Sequence, residues 1–274
     1  MSNRSIVMLI NSSRSEAQGA AQEITTALTK AGIAVLSPQD SAQSGVEIVL
    51  VLGGDGTILR GAEIALDRSI PLLGINLGHV GFMAEVDSFT FQDVAQAIID
   101  KDYVLDQRML LSFQVKRENS VIQSGWSLNE VSIERKSTTM LELFVQIDQR
   151  PLSRWGCDGI ICATPTGSTA YAFSAGGPVL WPEVQALVLL PIAAHALFAR
   201  PMVIAPSSTI IVTIESSDAS LSADALRKID LQKDDQVSLT KNDAQVTLAH
   251  LKSTIFTDRL VAKFKLPIEG WRGE

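Results

Sequence analysis

Glu47-Ile-Val-Leu-Val-Leu-Gly-Gly-Asp-Gly-Thr-Ile-Leu-Arg60 decides the fold. Ile48 to Leu52 is an uninterrupted apolar run of strand length, rich in β-branched residues, and it stops at Gly53. A run without polar alternation is covered on both faces, as in a parallel sheet with helices on either side. Ile58, Leu59, Ala62 and Ala65/Leu66 then share one face at helical spacing. Gly53, Gly54, Asp55, Gly56 and Thr57 are therefore predicted to form the turn from a buried strand into a helix N-terminus. Glycines without Cβ let backbone and ligand approach closely, and a helix start offers unpaired N–H groups to an anion. Asp55 sets a carboxylate in that donor-rich turn, where a simple phosphate cradle would have none.

Working outward, Ser5 to Ile10 reads as a strand. A helix follows with Ala17, Ala20/Ala21, Ile24, Leu28 and Ala31 inward, ending at Gly32. Ile33 to Leu36 gives a second strand. Ser69 to Phe82 holds a further strand and, after it, a glycine-rich loop from Asn76 to Gly81, and Phe91 to Asp100 gives a short helix. This alternation predicts a doubly wound, mostly parallel α/β domain over residues 1–104, with ligands at the carboxyl ends of its strands. Beyond about residue 104 the texture changes. Leu110 to Lys116, Leu128 to Glu134, Leu141 to Asp148, Thr209 to Glu215, Val237 to Thr240 and Gln245 to Leu248 read as half-buried alternating strands. They predict an all-β, sandwich-like domain over 105–254.

Composition narrows the function. With 46% hydrophobic and 19% charged residues the chain reads as globular, and its net charge of −7 leaves no basic stripe for nucleic acid. Any polyphosphate ligand needs a divalent cation and a few Lys or Arg, because the whole-molecule field repels it. Cys157 and Cys162 have neither zinc-knuckle nor Cys-x-x-Cys spacing and read as small buried residues of a reducing compartment. Ile6 to Ile10 is too short for a signal peptide. Val184 to Pro206, interrupted by Pro191, His195, Arg200 and Pro201, reads as no membrane span. His79, His195 and His250 have no metal-site spacing.

The glycine turn is neither a P-loop, lacking the Lys-Ser/Thr pair, nor a Gly-x-Gly-x-x-Gly fingerprint, since Leu59 stands where the third glycine belongs. Gly53-Gly-Asp-Gly-Thr57 resembles the signature turn of the NAD kinases, shared more loosely with phosphofructokinases and with diacylglycerol and sphingosine kinases. Asp158-Gly-Ile-Ile-Cys-Ala-Thr-Pro-Thr-Gly-Ser-Thr-Ala-Tyr171, continuing to Ser174-Ala-Gly-Gly-Pro178, is long and is similar to the NAD kinase family's own block. Asn129-Glu130 stands between the two where that family keeps an Asn-Glu pair. The resemblance runs from about Ile6 to Gly273.

It implies roles residue by residue. Asp55 becomes the proton acceptor for a ribose hydroxyl, and Gly56 and Arg60 bind NAD beside it, Arg60 being otherwise an exposed helix arginine. Asn129 and Glu130 hold the adenosine half of NAD. As neighbours on a strand they point to opposite faces, so they reach one ligand only if the strand bulges or ends there. Asp158 is a nicotinamide-side ligand, or else a strand cap. Thr169, Ala170, Tyr171, Ala172, Phe173 and Ser174 line the pocket. Ser168 lacks the elbow and base of a nucleophile. Leu221-Ser-Ala-Asp-Ala-Leu226 departs from the family, where that Asp is usually followed by Gly or Ser and often by a polar side chain; Ala225 and Leu226 leave nothing polar there, so no binding role passes to Asp224.

The resemblance thus implies a cytoplasmic, bacterial-type kinase. It would move a phosphoryl group from ATP or polyphosphate to the 2′-hydroxyl of NAD's adenosine ribose, giving NADP, with Mg²⁺ on the donor and no metal ligand assigned among the side chains. A homodimer or homotetramer is expected, with no membrane or nucleic-acid partner, and the tail from about 255 to 274 returns to the first domain. A Gly-Gly-Asp-Gly kinase acting on a lipid or sugar, and a non-catalytic pyridine-nucleotide sensor, are the alternatives.

Overall fold

The computed structural model describes residues 4–11, 15–40, 45–77, 81–84, 89–216, 219–252 and 255–268. Gly78, His79 and Val80, in the loop expected from Asn76 to Gly81, lie outside them. The chain begins with β1 (Ser5–Ile10), α1 (Ser15–Lys30), β2 (Ala34–Leu36), β3 (Val46–Leu52), α2 (Asp55–Arg68), β4 (Leu72–Ile75) and α3 (Phe91–Asp100). Then come β5 (Val104–Arg117), β6 (Ser120–Ser127), β7 (Glu130–Arg135), β8 (Leu141–Ile147), β9 (Arg150–Cys157) and β10 (Gly159–Ala163). The short helix α4 (Tyr171–Ser174) leads to β11 (Leu187–Ile192), β12 (Met202–Ile204), β13 (Ile210–Ile214), β14 (Ala219–Ala223), β15 (Arg227–Leu231), β16 (Gln236–His250) and α5 (Phe256–Phe264).

Two compact units result: residues 1–107 with 246–274, and residues 108–245. In unit 1 the parallel order is β2-β1-β3-β4, and the end of β16 adds a strand on β4 with Leu248 beside Leu72 and Ala249 beside Leu73. Ile48 to Leu52 is fully buried at the centre. The apolar run predicts just that. The predicted inward face of α1 is buried at Ala17, Ala20, Ala21, Ile24 and Leu28, which pack on Ile6, Ile48 and Leu50, whereas Ala31 lies past the helix end and is exposed.

Unit 2 is antiparallel. One sheet runs β12-β11-β10-β7-β14-β15, and the other runs from the first half of β16 through β13 and β8 to β9, while β5 pairs with β16 and β6. Met109, Phe113, Leu143, Trp155, Ile133, Cys162 and Leu221 meet in the core between them. This is the sandwich that the alternating strands predict. The strands expected at Val237 to Thr240 and Gln245 to Leu248 are one continuous strand, β16. The intervening Lys241-Asn-Asp-Ala244 reads as a turn by composition, yet it lies within this one strand, which also pairs with β5.

Candidate active site

Asp55 is the first residue of α2, with Gly54 in extended conformation ahead of it. A carboxylate suits the positive end of a helix. Its Oδ2 accepts the Phe82 N–H at 3.2 Å and its Oδ1 the Met83 N–H at 3.4 Å. Those amides are themselves anchored: Phe82 packs on Phe256 and Phe264 of α5, and Arg259 donates to the Phe82 and Ala84 carbonyls. A Cβ on Gly81 would stand 2.5 Å from Asp55 Oδ1, so the missing side chain admits the two amides.

The turn's glycines divide between two tasks. A Cβ on Gly53 would meet Thr57 Oγ1 at 2.7 Å, so the helix start packs directly on it. A Cβ on Gly54 or Gly56 would find no described atom within 4 Å. Open space among the described residues therefore faces these two glycines at the helix start. Arg60, one turn on, is exposed.

In unit 2, Asn129 lies in the bend just before β7 and Glu130 opens that strand, so the strand ends between the two residues. Both are 7% exposed, and Asn129 Oδ1 and Glu130 Oε2 have no hydrogen-bond partner among the described residues. Buried polar atoms are nearly always partnered, so a pair of orphans on adjacent residues marks a ligand surface. Gly167 is indispensable beneath it, since a Cβ there would run into the Asn129 carbonyl.

The hydroxyl block curls over this pair. Thr166–Thr169 is a 3₁₀ turn, Thr169 and Ala170 are half-buried, and Tyr171, Phe173 and Ser174 are exposed. The Tyr171 N–H acts as a donor toward Glu130, and its phenol donates to Glu134 Oε2 at 3.3 Å. Ala172 is fully buried against Ile161, Ala163, Val188 and Leu190. Its methyl seats α4 in the core and is out of a ligand's reach. Ser168 is buried too, donating to the Pro165 carbonyl and accepting the Leu180 N–H. No nucleophile is offered there.

Asp158 stands apart from Asn129 and Glu130, at the opposite end of β10 from the hydroxyl block, roughly 20 Å along the strand direction. Its side chain is 43% exposed and pairs with Arg135 at 2.9 Å. Cys157 and Cys162 are free and buried, and burial pushes their thiols up to about 11 and about 12, so they are inert packing. Asp55, Gly56 and Arg60 belong to unit 1, and the remaining candidates to unit 2.

Sequence reasoning missed three supports: the Phe82 and Met83 amides, Thr164, and Asp224. Thr164 donates its hydroxyl to the Leu128 carbonyl, and its N–H goes to the Asn129 carbonyl. Asp224 accepts the backbone N–H groups of Leu128 and Asn129. For Asp224 the sequence offers no local signal, because the backbone it holds lies on a distant strand.

Two domain families match the chain, one described as the ATP-NAD kinase N-terminal domain over residues 8–103 and one as the ATP-NAD kinase C-terminal domain over residues 128–251. The NAD kinase of Thermobifida fusca (strain YX) is 42% identical over 300 residues, covering 99% of this chain and 92% of that protein. NAD kinase 2 of Streptomyces avermitilis is 47% identical over 232 residues, covering 84% of this chain and 77% of that protein. Yeast NADH kinase, solved with NADH, shares the fold with a TM-score of 0.87 at 24% identity, covering 99% of this chain and 90% of the other. An NAD kinase from Archaeoglobus fulgidus, solved with ATP, superimposes with a TM-score of 0.78 at 25% identity over 95% of this chain and 98% of the other.

Proposed function

The chain belongs to the NAD kinase family, and on that premise we propose how its own residues perform the reaction. A phosphoryl group passes from ATP or polyphosphate to the 2′-hydroxyl of NAD's adenosine ribose, and the product is NADP. Asp55 accepts the hydrogen bond of that hydroxyl, aims its oxygen and takes the proton late, because a carboxylate is a weak base until the oxygen has begun to bond to phosphorus. The observation that carries this role is the carboxylate held at the head of α2 by the Phe82 and Met83 amides. Gly54 and Gly56 give the phosphates access to the helix N–H groups, and Arg60 supplies a cation one turn on.

Asn129 and Glu130 hold the adenosine half through their unpartnered oxygens. Thr169, Ala170, Tyr171, Phe173 and Ser174 supply neutral donors and apolar cover, and Asp158 serves the nicotinamide side. Among the described residues no three His, Cys, Asp or Glu side chains gather into a metal site. Asp55 is a carboxylate at the glycine turn able to touch a divalent ion, which the donor's phosphate oxygens would mainly hold. Such an ion supplies charge neutralisation of the phosphates. No described helix is long and apolar enough to cross a membrane. A homodimer or homotetramer in the cytoplasm is the setting we propose.

A coupled assay for NADP formation tests the mechanism. Asp55→Asn should bind NAD normally while kcat falls by about 10²–10⁴, the usual worth of a positioned general base. A kcat within a few-fold of wild type removes Asp55 from the reaction.

A further inference from the structure

Asp224 is 3% exposed and opens the hairpin loop joining β14 to β15, where Ala223 pairs with Arg227. Asp224 and Ala225 both take left-handed backbone conformations, with φ of 53° and 56°. An alanine adopts that region at a cost, so the loop is bent in spite of its sequence. The bend aims the carboxylate at a strand start 94 to 96 residues earlier in the chain. Oδ2 accepts the Leu128 N–H at 2.8 Å and Arg227 Nη2 at 3.3 Å; Oδ1 accepts the Asn129 N–H at 2.7 Å and the Glu130 N–H at 3.4 Å. Four donors occupy the four lone-pair positions of the two oxygens, leaving none for a proton. Thr164 grips the Leu128 and Asn129 carbonyls from the other edge. The segment so fixed carries the two orphaned oxygens, Asn129 Oδ1 and Glu130 Oε2.

We propose that Asp224 is a positioning residue for NAD: by fixing the Leu128–Glu130 backbone it presents Asn129 Oδ1 as an acceptor and the Glu130 carboxyl as a donor to the vicinal hydroxyls of a ribose. This rests on Asn129 and Glu130 being the residues that hold NAD.

The charges around Glu130 explain its donor role. Asp224 faces it from the β14–β15 loop, Glu134 from further along β7, and Tyr171 from α4. Arg227, which also lies over the Trp126 ring, is engaged by Asp224. Burial pushes Glu130 up to about 8, the negative charges of Asp224 and Glu134 add to it, and the Tyr171 N–H opposes. Burial raises Asp224 as well, against the pull of its backbone donors and Arg227. With four donors on its two oxygens Asp224 is the member of the pair built to stay ionised, and Glu130, with fewer, is the one built to carry the proton. A neutral acid beside an amide oxygen matches sugar hydroxyls, each of which both donates and accepts.

NAD titration calorimetry on the whole chain, from about pH 6 to about pH 10, tests this. Wild-type affinity should fall above about pH 8, as Glu130 loses its proton. Glu130→Gln keeps a donor without a titration, so its NAD affinity, whatever its level at neutral pH, should show no alkaline fall. Asp224→Asn should weaken NAD by about tenfold, equivalent to about 1.4 kcal/mol, and move the fall to lower pH, because Glu130 loses a negative neighbour. Should that variant not fold, Arg227→Gln gives the opposite sign: it unmasks the Asp224 charge and moves the fall to higher pH. NAD affinity unchanged in Asp224→Asn at every pH, or an unmoved fall in Arg227→Gln, overturns the positioning role. Unchanged affinity in Glu130→Ala would instead sink the underlying assignment of NAD to this pair.

Discussion

Glu130 titrates for two reasons that belong to the residue itself, its burial and its acidic neighbours. They raise its carboxyl from the ordinary 4.5 to about 8. A raised carboxyl contributes fully below the unfolded value and progressively loses that contribution as pH climbs to the folded one. Between pH 4.5 and about 8 the free chain therefore becomes steadily less stable on account of Glu130. Glu130→Gln, which never ionises, should raise the stability of ligand-free protein at alkaline pH by about 1–3 kcal/mol and leave it nearly unchanged in acid. Denaturant melts at the two pH extremes check this, and equal effects at both would show that Glu130 is ionised in the fold. Asp55 was legible because its neighbours in sequence are also its neighbours in space. Asn129 and Glu130 were legible only through a family pattern, since nothing local says that a strand starts between them. Asp224 was illegible because the backbone it holds lies on a distant strand, and an Asp-Ala-Leu turn gives no hint of where its side chain points.

Among elements, α2 shows how closely helix and sheet approach around the glycine turn. A Cβ on Gly61 would stand 2.6 Å from Val51 Cγ2 and 2.9 Å from Leu72 Cδ1, on the two strands beneath. A Cβ on Gly74 of β4 would collide with the Ile58 side chain of the same helix. Gly61→Leu should accordingly destabilise the protein by about 1–3 kcal/mol, the usual cost of overpacking a filled core. Gly56→Ala, facing open space one turn earlier, should leave the melting midpoint unchanged or slightly raised, because alanine favours a helix, while the KM for phosphoryl donor rises. If the two substitutions shift the melt equally, the division of the glycines into packing and access is wrong. Element boundaries were readable where a local signal fixed them. Thr90 and Asp93 form a reciprocal capping box, and α3 occupies Phe91–Asp100 as the periodicity predicts. The hairpin strand β6 was not readable: its outer residues are nearly all exposed, so it carries little apolar alternation to detect.

Across the whole molecule, the net charge of −7 opposes a donor carrying three or four negative charges of its own. Activity should need free Mg²⁺ or Mn²⁺ and vanish with a chelator, whereas NAD binding, which draws on neutral donors and less phosphate charge, should largely survive. Calorimetry of NAD and of donor, each with and without metal, separates the two. Donor reacting at full rate in chelator would mean that a Lys/Arg cluster does the neutralising. The change from α/β alternation to half-buried strands was legible in the texture of the sequence. The division of β16 between units was not, because a strand's composition does not say which neighbours it pairs with along its length. That division has a consequence in time. The outer edge of β4 is covered by Leu248 and Ala249, which leave the ribosome long after Ile75. At about 5–20 residues per second, the strand waits roughly ten to thirty seconds with its edge unpaired. Throughout synthesis of the intervening sandwich, a newborn chain thus presents an open, apolar strand edge to every other newborn chain nearby.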